Sequence, residues 1–271
     1  MTHTTHFIIK TLSNLHVGSG DQNFGVVDNL VQKDPVTEIP MINSSSLKGA
    51  IRDHFENQGK YTSKKLNTIF GYAEKDSASA GEVKFIQANL LALPVRSNTQ
   101  MYFLATTPQI LKDYIQNHKI LKNEDINIEI PDIDQKVYIS TDDSECWVED
   151  YEADSRKKDK LKSISEKLFN GFPIALIHDK LFKTISLPII TRNKIAKHEE
   201  DDNNLFYEEI VPRNSIYYTY IITPTDIDKG DEDSLKKLFE DFIRDMNTII
   251  QVGANASIGY GLCSFEERNY E

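Results

Sequence analysis

Residues 15–34, LHVGSGDQNFGVVDNLVQKD, gather His16, Gly18, Gly20, Gly25 and Asp28 behind the first apolar run of the chain. Glycine lets backbone N–H groups come close to a phosphate, and a carboxylate nearby holds a cation or takes up a proton. Each residue also has a plainer use. A histidine near a strand end is ordinarily packed and hydrogen-bonded, and an aspartate in a loop is ordinarily a turn or cap residue. No second carboxylate stands at obvious spacing from Asp28, so neither a two-metal nuclease site nor a glycosidase pair is built locally.

Two further groups of residues suit an anion. Ser44, Ser45 and Ser46 open a helical pattern in which Lys48 and Arg52 lie four apart; a helix start with hydroxyls and two cations is a phosphate site, and also simply an N-cap. Gly253, Gly259 and Gly261 in QVGANASIGYG permit close approach of a nucleic-acid backbone, or make a tight helix-to-strand turn. That loop lacks the Lys and Ser/Thr of a P-loop and runs from helix to strand, opposite to both nucleotide fingerprints, so nucleotide hydrolysis is disfavoured. The RRM aromatic signature is absent, and Tyr217, Tyr218 and Tyr220 suit strand packing as well as base stacking. Cys146 and Cys263 are too few for a disulfide framework or a four-cysteine zinc site and are expected to be ordinary thiols.

The elements that must position these residues are legible in part. Residues 5–12 form a strand; a helix begins at the serines and closes at Gly59; strands follow near 83–93 and 101–107, then a short helix from Pro108. Residues 185–222 read as two strand-like stretches around a polar centre, a protruding hairpin. The spacing of Leu235, Leu238, Phe239, Phe242, Ile243, Met246, Ile249 and Ile250 predicts a helix ending at Gly253, and a last strand follows. Strand, helix, strand, strand, helix, strand is the ferredoxin-like order, interrupted by a long excursion.

Of 271 residues, 39% are hydrophobic, ample for a buried core, and the net charge of −11 speaks at first against a polyanion partner. The acidity is local: residues 123–154 carry twelve carboxylates against Lys136 alone, which leaves the remainder neutral overall and free to carry basic patches. Residues 123–172 therefore read as an acidic, mixed-charge insertion rather than core. The N-terminus has no signal-peptide pattern and no apolar run spans a bilayer, so a cytoplasmic protein without a membrane partner is expected.

LHVGSG, GVVD, IPMINSSSLKGAIRDHF, LLALPVRS, LFYEEIVP and QVGANASIGYG, in that order, resemble the RAMP superfamily of CRISPR proteins. More narrowly, they resemble the repeated backbone RNase subunit of the type III-B, Cmr-type effector complex. The resemblance spans nearly the whole length. It implies an α+β, modified ferredoxin-like (RRM-like) fold over residues 1–271 with a thumb-like extension at 185–222. It also implies copies stacked in a helical filament along a CRISPR guide RNA with other Cmr-type subunits, and cleavage of complementary single-stranded target RNA at regular intervals. By this resemblance Asp28 within GVVD would take the position of the cleaving residue, where it could hold a divalent metal (Mg or Mn). His16 shapes the RNA-binding loop, and Tyr207 and Glu208 lie in the thumb near the scissile bond. Ser44, Ser45, Ser46, Lys48, Arg52, Gly253, Gly259 and Gly261 contact the guide backbone. Three alternatives stay open: a non-catalytic guide-binding subunit, a standalone CRISPR precursor-processing endonuclease working through His16, and a ferredoxin-like metabolite-binding or assembly module.

Overall fold

IYYTYIITP, residues 216–224, is apolar at almost every position, as a strand covered on both faces must be. The computed structural model describes residues 2–20, 26–74, 77–193, 205–225 and 232–270; Gly25 and the polar run HEEDDNN (198–204) lie outside them. Strand β1 (Thr2–Thr11) is followed by β2 (Met41–Ile42), α1 (Ser44–Gln58) and α2 (Ser63–Phe70). Strands β3 (Gly71–Glu74) and β4 (Ser77–Ala80) pair with each other and lead to β5 (Lys84–Phe85), β6 (Ala88–Val95), β7 (Phe103–Thr106) and α3 (Pro108–Lys122). Next come β8 (Val137–Ile139), β9 (Trp147–Val148), β10 (Tyr151–Asp154), α4 (Lys158–Phe169), β11 (Ile174–Ile177) and the single-turn α5 (Asp179–Phe182). The C-terminal part holds β12 (Ile189–Asn193), β13 (Leu205–Glu209), β14 (Ile216–Pro224), α6 (Glu232–Asp245), β15 (Ile249–Gln251) and β16 (Leu262–Glu267).

Among the described residues a 12-stranded mixed sheet runs β15-β16-β1-β14-β6-β7-β11-β8-β10-β9, with β2 beside β6 and β5 beside β14. Taken in chain order, β1, β6, β14 and β16 are its first, second, third and fourth long strands, and they stand in the spatial order 4-1-3-2, all antiparallel. Helices cover both faces. On one, Phe85 of β5 stacks on Phe70 of α2 at 5.3 Å, and Phe242 of α6 meets Phe55, Phe70 and Phe85. On the other, Tyr114 of α3 meets Tyr218, and His6 stacks on Tyr220. Tyr217, Tyr218 and Tyr220 are thus all buried, and strand packing is their use.

Local signals explain the helix ends. Thr107 accepts from Ile110 N–H at 3.1 Å with Pro108 at the first helical position, and α3 ends on Asn123 in the left-handed region behind Lys119 and Lys122. In α1 the N-cap is Asn43, and Ser44, Ser45 and Ser46 form the first turn rather than the cap.

Three expectations are corrected. Residues 123–172 are built into the sheet: Val137, Tyr138, Ile139, Cys146 and Val148 are buried, and β8 pairs with both β10 and β11. Several of their carboxylates are paired within the chain, Asp142 with Lys158 and Lys162, Glu129 with Lys160, Glu149 with Arg96 and Asp125 with Lys119. Second, α6 stops at Asp245. Asn247 donates its amide to the carbonyls of Ile243 and Arg244, its Oδ1 accepts from Glu267 N–H, and Ile249 and Ile250 pair with β16 instead. These β-branched residues suit strand as well as helix, and tertiary pairing decides. Third, the hairpin comprises β12 and β13 only; residues 216–224 are a central strand of the sheet. Both cysteines are free and buried, and among the described residues no helix is long and apolar enough to cross a membrane.

Candidate active site

Strand β13 organises the site. Its residues 207–209 run beside the loop after β1 and grip it through the backbone: Asp28 and Asn29 donate N–H to Tyr207 O at 3.0 and 3.1 Å, and Glu209 N–H donates to Asn29 O at 2.9 Å. Tyr207 N–H donates to Asp28 Oδ2 at 2.7 Å. Asp28 is therefore exposed yet fixed, with one carboxylate oxygen committed to a backbone donor. Tyr207 itself is 36% exposed beside it.

Glutamates 208 and 209 are 3% and 7% exposed, and a buried carboxylate has to be paired. Glu209 accepts from Lys33 Nζ at 2.7 Å and from Val31 N–H at 3.2 Å. Glu208 accepts from Arg192 Nη1 at 2.8 Å and from Asn255 Nδ2 at 3.0 Å to each oxygen, and His16 Nε2 stands 3.8 Å away. His16 is 5% exposed and its Nδ1 lies 2.7 Å from Glu209 O. A carbonyl only accepts, so Nδ1 carries the proton. Buried and committed in this way, His16 holds the hairpin base.

The glycine loop closes the arrangement from behind. Ala254 N–H donates to His16 O at 2.8 Å, and a Cβ at Gly253 would sit 2.4 Å from that same oxygen. At Gly261 it would sit 2.0 Å from Val252 O. Both positions are packed against protein backbone, whereas nothing lies within 4 Å of a Cβ at Gly259. The contrast gives a prediction. Gly253→Ala combines this clash with a φ of +80° and is expected to cost about 3 kcal/mol, while Gly259→Ala, strained at φ +81° but unobstructed, costs about 1 kcal/mol. Denaturant midpoints of the two variants check it, and equal losses would refute the packing argument.

Helix α1 approaches the same loop through Gln32, whose amide donates to Ser46 Oγ at 3.0 Å and whose Oε1 accepts from Asn43 N–H at 2.8 Å. The Asn43 side chain makes no capping hydrogen bond to the first turn, and Ser44, Ser45 and the half-buried Lys48 make no side-chain hydrogen bond there among the described residues. Arg52 is elsewhere: it pairs with Glu56 at 2.6 Å and donates to Gly71 O at 3.0 Å, fastening α1 to the end of α2. The structure thus brings together Asp28, His16, Tyr207, Glu208, the serine turn and the glycine loop, and leaves Arg52 apart. Arg192, Asn255, Lys33 and Glu209 are participants that sequence reading did not select. The Glu-Glu pair in LFYEEIVP and the asparagine among glycines in GANASIGYG were the available signals.

The sequence profile of the RAMP superfamily matches residues 8–264. The chain belongs to the RAMP superfamily. Within that superfamily it is 28% identical to the CRISPR system Cmr endoribonuclease Cmr4 of Pyrococcus furiosus, over 93% of this chain and 92% of that one. The Cms endoribonuclease Csm3 of Streptococcus thermophilus is 29% identical over 52% of this chain and 70% of its own. Its fold is that of a chain in the type III-B Cmr-beta complex bound to cognate target RNA, with a TM-score of 0.76, 19% identity and coverage of 98% and 97% of the two chains. It is equally that of oligomeric Cmr4 from Pyrococcus furiosus, with a TM-score of 0.74, 20% identity and coverage of 99% and 100%. As a RAMP protein it resembles the backbone subunit of type III-B complexes, as its motif order suggested.

Proposed function

We propose that this chain is a CRISPR RNA-guided endoribonuclease subunit that binds the guide RNA backbone and cleaves complementary target RNA at regular intervals. The observation that carries the reading is the exposed Asp28 carboxylate pinned by Tyr207 N–H at the base of a hairpin. Likeness to a Cmr endoribonuclease along nearly the whole chain supports it. The 4-1-3-2 strand order is that of a ferredoxin-like (RRM-like) core, and β12 with β13 serves as its thumb. Stacked copies, with other Cmr-type subunits in the cytoplasm, would repeat the Asp28 site at a fixed interval along the guide.

RNA carries its own nucleophile. The 2′-hydroxyl gives up its proton to solvent as its oxygen attacks the adjacent phosphorus, the bond to the 5′-oxygen breaks and that oxygen takes a proton from solvent, so the products are a 2′,3′-cyclic phosphate and a 5′-hydroxyl end. The chain's part is to hold the nucleotide so that these oxygens lie in line, and to place the Asp28 carboxylate where it could hold a cation that neutralises the charge developing on the phosphate. The hairpin and the Asp28 loop do the first. The uncapped first turn of α1, with Ser44, Ser45 and Lys48, and the open Gly259 are suited to the guide's phosphates. A divalent cation, Mg²⁺ or Mn²⁺, would supply neutralisation of charge on the phosphoryl oxygens. Asp28, exposed and with its carboxylate oriented by Tyr207 N–H, is the residue that would hold it.

The test uses the assembled complex loaded with guide RNA and given a matching transcript. Expected are evenly spaced cuts bearing 2′,3′-cyclic phosphate ends, lost in excess chelator and restored by Mg²⁺ or Mn²⁺. Undiminished cutting in chelator would remove the ion from the scheme; tight binding of the transcript without any cut would leave a scaffold subunit.

A further inference from the structure

We propose that Arg192 and Asn255 are positioning residues for RNA cleavage, acting through Glu208 to hold Asp28 in register. The inference rests on the reading of Asp28 as the cleaving residue and deepens it.

A two-stranded ribbon is marginally stable by itself, and β12 with β13 forms a two-stranded sheet separate from the main one. Its register must be set at its base. The backbone bonds from Tyr207 and Glu209 to residues 28–29 transmit any slip of β13 directly to Asp28, whose own carboxylate is aimed by Tyr207 N–H. Between those two residues stands Glu208, and its side chain is where other parts of the chain take hold.

Three segments meet at this carboxylate. Arg192, one diagonal step across the ribbon, donates to Oε2 at 2.8 Å; opposite it in the pairing is Phe206, two residues before Glu208. The guanidinium lies 5.2 Å from the Tyr260 ring and 6.0 Å from the Phe206 ring, which restricts where it can go. Asn255 comes from the C-terminal glycine loop and reaches both carboxylate oxygens at 3.0 Å. Its backbone is left-handed, with φ +66°, and its neighbour Ala254 is bonded to His16 O. Glu208 therefore ties the ribbon to a rigid loop, and Arg192 supplies the charge that makes its burial tolerable. Both residues reach Glu208 and so act at one remove from Asp28.

Single-turnover cleavage by the assembled, guide-loaded complex at saturating target separates positioning from binding. Asn255→Asp sets two carboxylates against each other and is expected to slow cleavage about 100-fold, the loss that a misplacement of order 1 Å produces, with target affinity unchanged. Asn255→Gly keeps the left-handed backbone while deleting the amide, and reads the same contact if the aspartate variant fails to assemble; about a tenfold loss is expected. Arg192→Gln should fall between them. The double variant E208Q/N255D restores an amide facing a carboxylate beside Arg192 and should recover most of the wild-type rate, a coupling that two independent lesions would not show. Wild-type cleavage by Asn255→Asp and Asn255→Gly, a loss of target affinity that accounts for the slowing, or a double variant no faster than the slower single one each overturns the proposal. Asp28→Asn run alongside keeps the two readings apart: an active Asp28→Asn complex sinks the nuclease assignment, whereas an inactive one beside unaffected Asn255 variants sinks only the positioning.

Discussion

Asp28→Asn is expected to lower single-turnover cleavage of the target about 10³-fold while guide retention and target affinity stay at wild-type levels. Asparagine keeps the size of the side chain and an oxygen able to accept from Tyr207 N–H, the bond measured at 2.7 Å, so the loop stays where it is and only the charge is removed. The magnitude is that of losing the group that would hold a charge-neutralising cation at the reacting phosphate, and among the described residues the nearby carboxylates Glu208 and Glu209 are buried and paired. Tyr207→Phe should keep most of the activity, since what Tyr207 gives to Asp28 is its backbone N–H and not its hydroxyl. A fall in affinity parallel to the fall in rate would mean that Asp28 holds the strand and does not act on it.

How far this site can be read from sequence depends on whether its parts are neighbours in the chain. The first strand, α1 from its serines to Gly59, β7 and α3 are announced by local periodicity and by capping residues such as Thr107 and Pro108. Asp28 and His16 stand out because glycines surround them. The Glu208 cluster does not, because Arg192, Glu208 and Asn255 are each unremarkable in their own segment and acquire meaning only when the hairpin folds against the C-terminal loop. Charge concealed the rest. Between 123 and 172 the carboxylates and lysines dominate the pattern, yet Leu161, Ile164, Leu168 and Phe169 are buried at helical spacing within α4, and Lys158 and Lys160 of the same helix pair with Asp142 and Glu129. What looked like an insertion is a sheet extension in which part of the opposite charge, carried by separate stretches of sequence, is paired in space.

Acid is expected to unfold this protein well before its carboxylates titrate, because of a cluster that sequence reading passed over. His6 of β1 lies among Tyr114, His118, Tyr220 and Tyr270, its Nδ1 3.1 Å from Arg268 O and its Nε2 3.3 Å from Tyr114 Oη. Burial, reinforced by the neighbouring His118 and by the positive charges of Lys122 and Arg268, pushes the His6 pKa down to about 3. Burial also lowers His118, against the opposing pull of Glu124 at 3.3 Å. Both imidazoles stay neutral in the folded chain at pH values where the unfolded chain, near 6.5, protonates them. The unfolded state then binds more protons, so stability is complete above about pH 6.5 and falls as the pH drops from there towards 3. One proton of difference is worth about 1.4 kcal/mol per pH unit, so His6 alone removes about 2 kcal/mol between pH 6.5 and 5, and His118 adds to it. Aspartates held below their ordinary range by hydrogen bonds, such as Asp34 through Thr37 and Asp143 through Gln100 and Thr141, lose their contribution only at lower pH. Denaturant midpoints between pH 7 and 4.5 should therefore slope steeply in the wild-type chain and more gently in His6→Phe, which keeps an aromatic ring in the cluster and takes away the titrating nitrogens. A slope the same in both would place the acid sensitivity elsewhere.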